Sequence, residues 1–170
     1  MKNKTFKKLL ATIVLLSTLN IAFAQDVVVD STKYDGVLKG TLTSNTLIKT
    51  VNFHYYVIDD NASVKINMTN PEVLVTKNGK KLFIKIQGAE KALKCHKEDD
   101  VYDKNIVDAF RGWTGDTKIK LDDGTEWQQD APGMTMANLY RPKAIVYKTN
   151  DGYRVKIQGV DELMLVKKVN

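Results

Sequence analysis

Residues 71–88, PEVLVTKNGKKLFIKIQG, and residues 142–159, PKAIVYKTNDGYRVKIQG, are two versions of one stretch, a constant 71 residues apart (142 against 71, 159 against 88). Pro71/Pro142, Val75/Val146, Lys77/Lys148, Lys85/Lys156, Ile86/Ile157, Gln87/Gln158 and Gly88/Gly159 are identical. A chain that spells one pattern twice is constrained to fold the same supersecondary structure twice. The likeness extends upstream. Residues 34–40, YDGVLKG, align with 106–112, IVDAFRG, but at an offset of 72, so one residue is gained or lost between the blocks. Ile48-Lys49 then matches Ile119-Lys120, and Tyr56 falls opposite Trp127.

The repeated stretch has the period of a strand. Leu82, Ile84 and Ile86 alternate with Lys81, Lys85 and Gln87, with Phe83 on the outer face. Tyr153, Val155 and Ile157 alternate in the same way with Arg154, Lys156 and Gln158. Period two means one face on a core and one in water, and a slip of one residue would invert it. Asn78-Gly79, Asp123-Gly124 and Asp151-Gly152 interrupt such runs, and these dipeptides supply the positive φ of tight hairpin turns. Convincing helical periodicity is absent, and a short segment near 103–109 is the best helical candidate. About five strands in some 60 residues suit a small, partly open barrel. The fold predicted is therefore all-β: two tandem related small β-barrel units, SH3-like or partly open. The first spans residues 34–97 and the second 106–169. Residues 25–33 form an N-terminal segment, and the polar run 98–105, EDDVYDKN, a linker.

The N-terminus reads as a cleavable signal peptide over residues 1–24. Lys2, Lys4, Lys7 and Lys8 precede an apolar run from Leu9 to Leu19, and Ala22-Phe23-Ala24 places small residues at −3 and −1. The run is short for a membrane span, which needs about 20 apolar residues. An exported protein, periplasmic or extracellular, without a membrane span in the mature chain is expected. The signal also carries most of the charge. The chain has 26 basic and 20 acidic residues, +6 overall. Beyond residue 24 the count is 22 against 20, a charge of +2, which gives little electrostatic reason to bind nucleic acid.

At the second unit, Phe110-Arg111-Gly112-Trp113-Thr114-Gly115-Asp116-Thr117 leads to Leu121, Asp123-Gly124 and Trp127-Gln128-Gln129, then Tyr140, Pro142 and Val166-Lys167-Lys168. This series resembles a domain that recurs in uncharacterised exported bacterial proteins, F-x-G-W-x-G-x-T, L-x-N-G-x-x-W-x-Q, a Tyr-Pro strand and a closing Val-x-Lys/Arg. The resemblance covers residues 106–169 well and 34–97 loosely. Asp123 stands where that pattern has Asn. The first unit lacks both Trp and has no Asn-Gly or Asp-Gly before Tyr56. The resemblance implies export and no established activity.

Little in the sequence points to chemistry. Nucleophilic catalysis needs a base within reach of a Ser, Cys or Thr. The two His residues are His54 and His96, and His96 adjoins Cys95, the single cysteine. Neighbours on a strand face opposite ways, so Cys95 and His96 are badly placed for proton transfer. Cys95 lies 71 residues before Val166 and reads as a small core residue. Two His and one Cys give no zinc spacing. Asp116, Asp122, Asp123 and Glu126 surround a turn without the spacing of a calcium loop. Asn61-Ala62-Ser63 and Asn67-Met68-Thr69 are sequons, which matter only in a eukaryotic secretory route. No catalytic residue, metal or cofactor is expected.

The aromatic residues of the second unit are the candidate contact set. Trp113, Trp127, Tyr140, Arg111 and Gln128 are the expected ligand-binding residues, with Tyr147 and Tyr153 nearby; core packing is the competing reading, since Trp and Tyr bury a large apolar area with one polar handle. The function expected is a non-enzymatic binding or scaffolding protein of the bacterial cell envelope, contacting an envelope polymer such as the wall or an envelope protein. The alternative is an accessory subunit that pairs with a partner through β-sheet edges, and a remote third is a carboxylate-based hydrolase.

Overall fold

The computed structural model describes residues 26–61 and 63–169. The expected signal peptide lies outside them. The described residues form strands and turns, with no helix among them, so the segment near 103–109 is not helical. The first half of the chain holds β1 (Val27–Lys33), β2 (Val37–Leu42), β3 (Leu47–Lys49), β4 (Tyr55–Ile58), β5 (Val64–Thr69), β6 (Glu72–Asn78), β7 (Lys81–Ile86) and β8 (Leu93–Lys97). The second half holds β9 (Val101–Asn105), β10 (Ala109–Trp113), β11 (Lys118–Lys120), β12 (Glu126–Gln129), β13 (Thr135–Tyr140), β14 (Lys143–Thr149), β15 (Gly152–Ile157) and β16 (Met164–Lys168).

The six-stranded sheet of the first half runs β3-β4-β8-β7-β6-β1, and that of the second runs β11-β12-β16-β15-β14-β9. Each sheet curls until its outer strands meet at one bridge, Tyr34 with Thr50 and Ile106 with Leu121. A two-stranded ribbon, β2 with β5 or β10 with β13, stands beside each sheet. Backbone bonds outside the ladders recur in step. Tyr34 N donates to Pro71 O, and Ile106 N to Pro142 O, both at 2.9 Å. Gln87 N donates to Glu72 O, and Gln158 N to Lys143 O, both at 2.8 Å.

Three expectations from the sequence need correction. Each half has eight strands rather than five. Residues 25–33 contain β1, paired along β6, and the supposed linker 98–105 contains β9, paired along β14. The turn residues also sit one place off. Asn78 pairs with Lys81 and Thr149 with Gly152, so the two-residue loops are Gly79-Lys80 and Asn150-Asp151.

The alternation read from the sequence makes the cores. Val73, Val75, Ile84 and Ile86 are buried in the first half, and Ala144, Val146, Val155 and Ile157 in the second. Each fully buried aliphatic side chain contributes about 1.5–3 kcal/mol. Tyr56 and Trp127 occupy equivalent core places, and Cys95 is buried as Val166 is.

The turn before each of these aromatics is the same three-residue loop. Leu121 N donates to Thr125 O at 2.9 Å and Gly124 N to Leu121 O at 3.0 Å, with Gly124 at φ 89°. Thr50 N donates to His54 O and Phe53 N to Thr50 O, both at 2.9 Å, but here Phe53 takes the left-handed place at φ 59°.

The two halves meet on Leu47, Val57 and Tyr147, all buried, with Tyr55, Val101 and Ile145 packed around them. Tyr147 donates to the carbonyl of Asn45 at 2.9 Å. Asp103 of β9 accepts from Tyr55 at 2.9 Å and pairs with Lys49 at 3.0 Å, while Lys49 also pairs with Asp35 at 2.9 Å. The polar character that made 98–105 resemble a linker therefore serves the contact between halves. Among the described residues no helix is long and apolar enough to cross a membrane.

Candidate contact surface

The structure divides the five expected contact residues. Trp113 is 1% exposed and Trp127 is fully buried, so neither can stack on a ligand at the surface, and the core reading holds for both. Trp113 packs edge-on to Phe110 with ring centroids 5.0 Å apart. Trp127 sits between Tyr102 and Tyr153, at 5.1 and 4.9 Å, and its indole N–H reaches the Thr125 hydroxyl at 3.2 Å. Tyr147 belongs to the contact between halves. Gln128 is half-buried on β12, opposite Lys118 and Lys167, outside the β10–β13 ribbon that carries Arg111 and Tyr140.

Arg111 and Tyr140 come together on one face. The outer side of β13 presents Met136, Asn138 and Tyr140, with Met134 just ahead of the strand. Met136 is 96% exposed, Met134 and Tyr140 84% each. Arg111 on β10 donates to Asn138 Oδ1 at 2.6 Å across the ribbon. The equivalent places in the first half hold Ser63, Lys65, Asn67, Thr69 and Lys39, so the same scaffold there carries a polar face.

A β-bulge explains the geometry. In β2–β5 the register is regular from Val37–Thr69 to Leu42–Val64. In β10–β13 it shifts between Phe110 and Gly112, because two residues of β13, Ala137 and Asn138, oppose the single Arg111. The one residue that separates the sequence offsets of 71 and 72 is this bulge: β10 lacks a counterpart of Thr41, and β13 keeps its full length. A bulge bends its strand and re-aims a side chain, here Asn138 toward Arg111. The close approach also demands Gly112, where a Cβ would fall 1.7 Å from the carbonyl oxygen of Thr135. The free edge of β10 borders a groove of about 560 Å³, lined by Asp108, Arg111, Thr114, Asp116, Lys118 and Lys120 among others. The groove mixes both signs of charge with hydroxyl groups.

No protein-family model, curated protein or solved structure matches this chain.

Burial pushes the Cys95 thiol up to about 12, which keeps it a thiol at neutral pH. His96 lies on the other face, its Nδ1 2.7 Å from Asp59 Oδ1. No group of three or more potential ligands converges on a metal site among the described residues, the acidic turn of Asp116, Asp122, Asp123 and Glu126 included. Two networks escaped the sequence reading. Asp30 Oδ2 lies 2.8 Å from His54 Nδ1 and accepts from the Tyr56 hydroxyl at 2.8 Å. Asp103 gathers Lys49, Tyr55 and Lys143. Burial alone would raise its carboxyl, but the contacts from Lys49, Tyr55 and Lys143 hold it below the ordinary range. Partners so far apart in sequence leave no local signature.

Proposed function

We propose that this chain is an exported, non-enzymatic binding or scaffolding protein of the bacterial cell envelope. It is built from two tandem copies of one small barrel, and its contact surface is the outer face of β10–β13 with the adjoining groove. The bulge carries the reading. The two halves share strand order, closing bridges and turn bonds, and the first has its own register shift in β1 between Val28 and Asp30, yet of the two ribbons only β10–β13 has a bulge, and it lies beneath the exposed Arg111, Asn138, Met136 and Tyr140. Bulges concentrate where a strand must present a side chain. Large exposed side chains gathered on one face are the mark of a contact site. The partner that suits an aromatic ring, a guanidinium–amide pair and a groove of hydroxyls and mixed charges is a polar polymer of the envelope. A sugar ring stacks on Tyr140 while Arg111 and the groove take its polar groups.

Co-sedimentation with isolated cell-wall sacculi tests this. The exported protein is expected to sediment, and Tyr140→Ala to remain in solution while keeping the parent circular dichroism spectrum and urea midpoint. Truncating an exposed residue changes stability by no more than about 0.5 kcal/mol, so lost binding reports the surface. Failure of the parent protein to sediment rejects the polymer.

The second reading is the accessory subunit. Within the ribbon β10 pairs with β13 alone, and its other edge borders the groove. An extended segment of a partner could add to that edge through main-chain hydrogen bonds. Proline at an outward-facing N–H of β10 would abolish such pairing, whereas Tyr140→Ala, on the other strand, would leave it intact.

A further inference from the structure

The cleft where the two halves meet holds a feature that the contact surface does not use. It has a volume of about 320 Å³ and is bounded by Lys49, Lys143, Lys156 and one acidic residue, Asp35, with Leu47 and Ile145 as apolar wall and Tyr34 and Gln158 among its polar lining. The three ammonium groups do not have equal partners. Lys49 pairs with Asp35 and Asp103, at 2.9 and 3.0 Å. Lys143 shares Asp103, with Nζ 3.2 Å from its Oδ1. Two carboxylates thus answer for two cations. Lys156 has no carboxylate within ion-pair distance among the described residues, and its partner is the neutral Tyr34 hydroxyl at 3.4 Å. One positive charge therefore remains in the polar lining of a half-apolar cleft.

The repeat shows that this is not imposed by the fold. Lys156 and Gln158 are identical in type to Lys85 and Gln87 of the first half. There the pair serves the local turn: Lys85 Nζ donates to the carbonyl of Glu90 at 2.6 Å, and Gln87 Oε1 accepts from the Glu72 N–H at 3.2 Å. In the second half the same two residues, Lys156 on β15 and Gln158 just past its end, border the cleft instead. Tyr34 accepts from Lys156, which leaves its own hydroxyl proton to donate.

We infer that this cleft is a binding site for a small monocarboxylate with an apolar body. The carboxylate is held by Lys156 Nζ, the Tyr34 hydroxyl and the Gln158 amide, and the apolar part lies on Leu47 and Ile145. Charge-assisted hydrogen bonds to a carboxylate are the strong class, and a cleft of this size suits a ligand at the small end of the usual range. A single uncompensated cation matches a monoanion and not a phosphate dianion.

The test is a titration of the ¹⁵N-labelled full chain followed at the Gln158 side-chain amide. N-acetyl-leucine is the acid probe, N-acetyl-leucinamide its neutral counterpart, and inorganic phosphate a third arm. Saturable shifts with the acid, at least about tenfold weaker in Lys156→Gln, are expected. Lys85→Gln removes the same charge from the equivalent place and is expected to bind as the parent does. A longer peptide ending in the same leucine carboxylate separates the two sources of such a group. Equal binding assigns a chain terminus, exclusion assigns a free small acid, and either result supports the site. Equal binding of the neutral amide, an equal loss in Lys85→Gln, displacement of the acid by phosphate, or no saturable shift in the parent would each overturn the inference.

Discussion

Phe53 occupies a backbone conformation that a bulky side chain rarely adopts. Its φ of 59° lies in the left-handed region, in the loop place that Gly124 fills in the second half. The cost there is about 1–2 kcal/mol for a residue with a Cβ. The ring recovers part of it, because Lys49 Nζ lies 5.4 Å from its centroid, an exposed cation–π contact of about 0.5–1 kcal/mol. It recovers little by burial, since the residue is 71% exposed. Asn tolerates the same conformation without the extra unfolded-state freedom of Gly. Phe53→Asn is therefore expected to raise stability by about 0.5–1 kcal/mol, seen as a higher urea midpoint with unchanged slope. A lower midpoint would mean that the ring does more for the fold than its exposure allows.

The ribbon β10–β13 shows how one missing residue changes what an element can present. In the first half Gly40 sits in an open register, with φ 121° and nothing within 4 Å of a would-be Cβ. Gly112 has a similar φ of 111°, but a Cβ would meet the Thr135 carbonyl group, its oxygen at 1.7 Å and its carbon at 2.7 Å, both of them backbone atoms that cannot step aside. Gly40→Ala is expected to cost about 1–2 kcal/mol from φ alone, and Gly112→Ala about 3 kcal/mol or more, since overpacking adds to it. Equal urea midpoints for the two variants would contradict the bulge. Parts of this element level were legible in the sequence. Alternation in Leu82–Ile84–Ile86 and in Tyr153–Val155–Ile157 is local, so the hairpins and their buried faces could be read directly. The bulge was legible only as a change of offset, which marks a length difference without saying which strand absorbs it. β9 was hidden because its polar residues make contacts with the other half, as Asp103 does with Lys49 and Tyr55. Trp113 stands among glycines, Gly112 and Gly115, which gives no local sign that β10 carries it into the core. Aromatic type alone separates core from surface poorly: Trp113 and Tyr140 have the same sequence credentials and opposite exposure.

The contact between the halves decides how the whole molecule responds to acid. Leu47, Val57 and Tyr147 give it a dry centre, and Asp103 ties three polar partners from both halves at its border. The Asp103 carboxyl is held below its ordinary value of 3.8. A carboxylate lowered in the folded state stabilises it fully above the unfolded value and loses that contribution as pH falls through the folded value. Asp30 and Asp123 are also lowered, and the Arg154 and Thr149 bonds bring Asp151 to about 2. Stability is therefore expected to hold from neutral pH down to about 4 and then to fall toward pH 2, as these groups protonate. Asp103→Asn isolates the share that belongs to the contact between halves. At neutral pH the variant is expected to lose about 2 kcal/mol, the worth of hydrogen bonds to a charged group. In acid the gap between variant and parent should narrow, because the parent then loses the same carboxylate. Urea midpoints of both proteins from pH 7 to pH 2 measure this convergence. Parallel curves would show that Asp103 leaves the acid response to the other carboxylates, and that the halves are held together by the apolar centre alone.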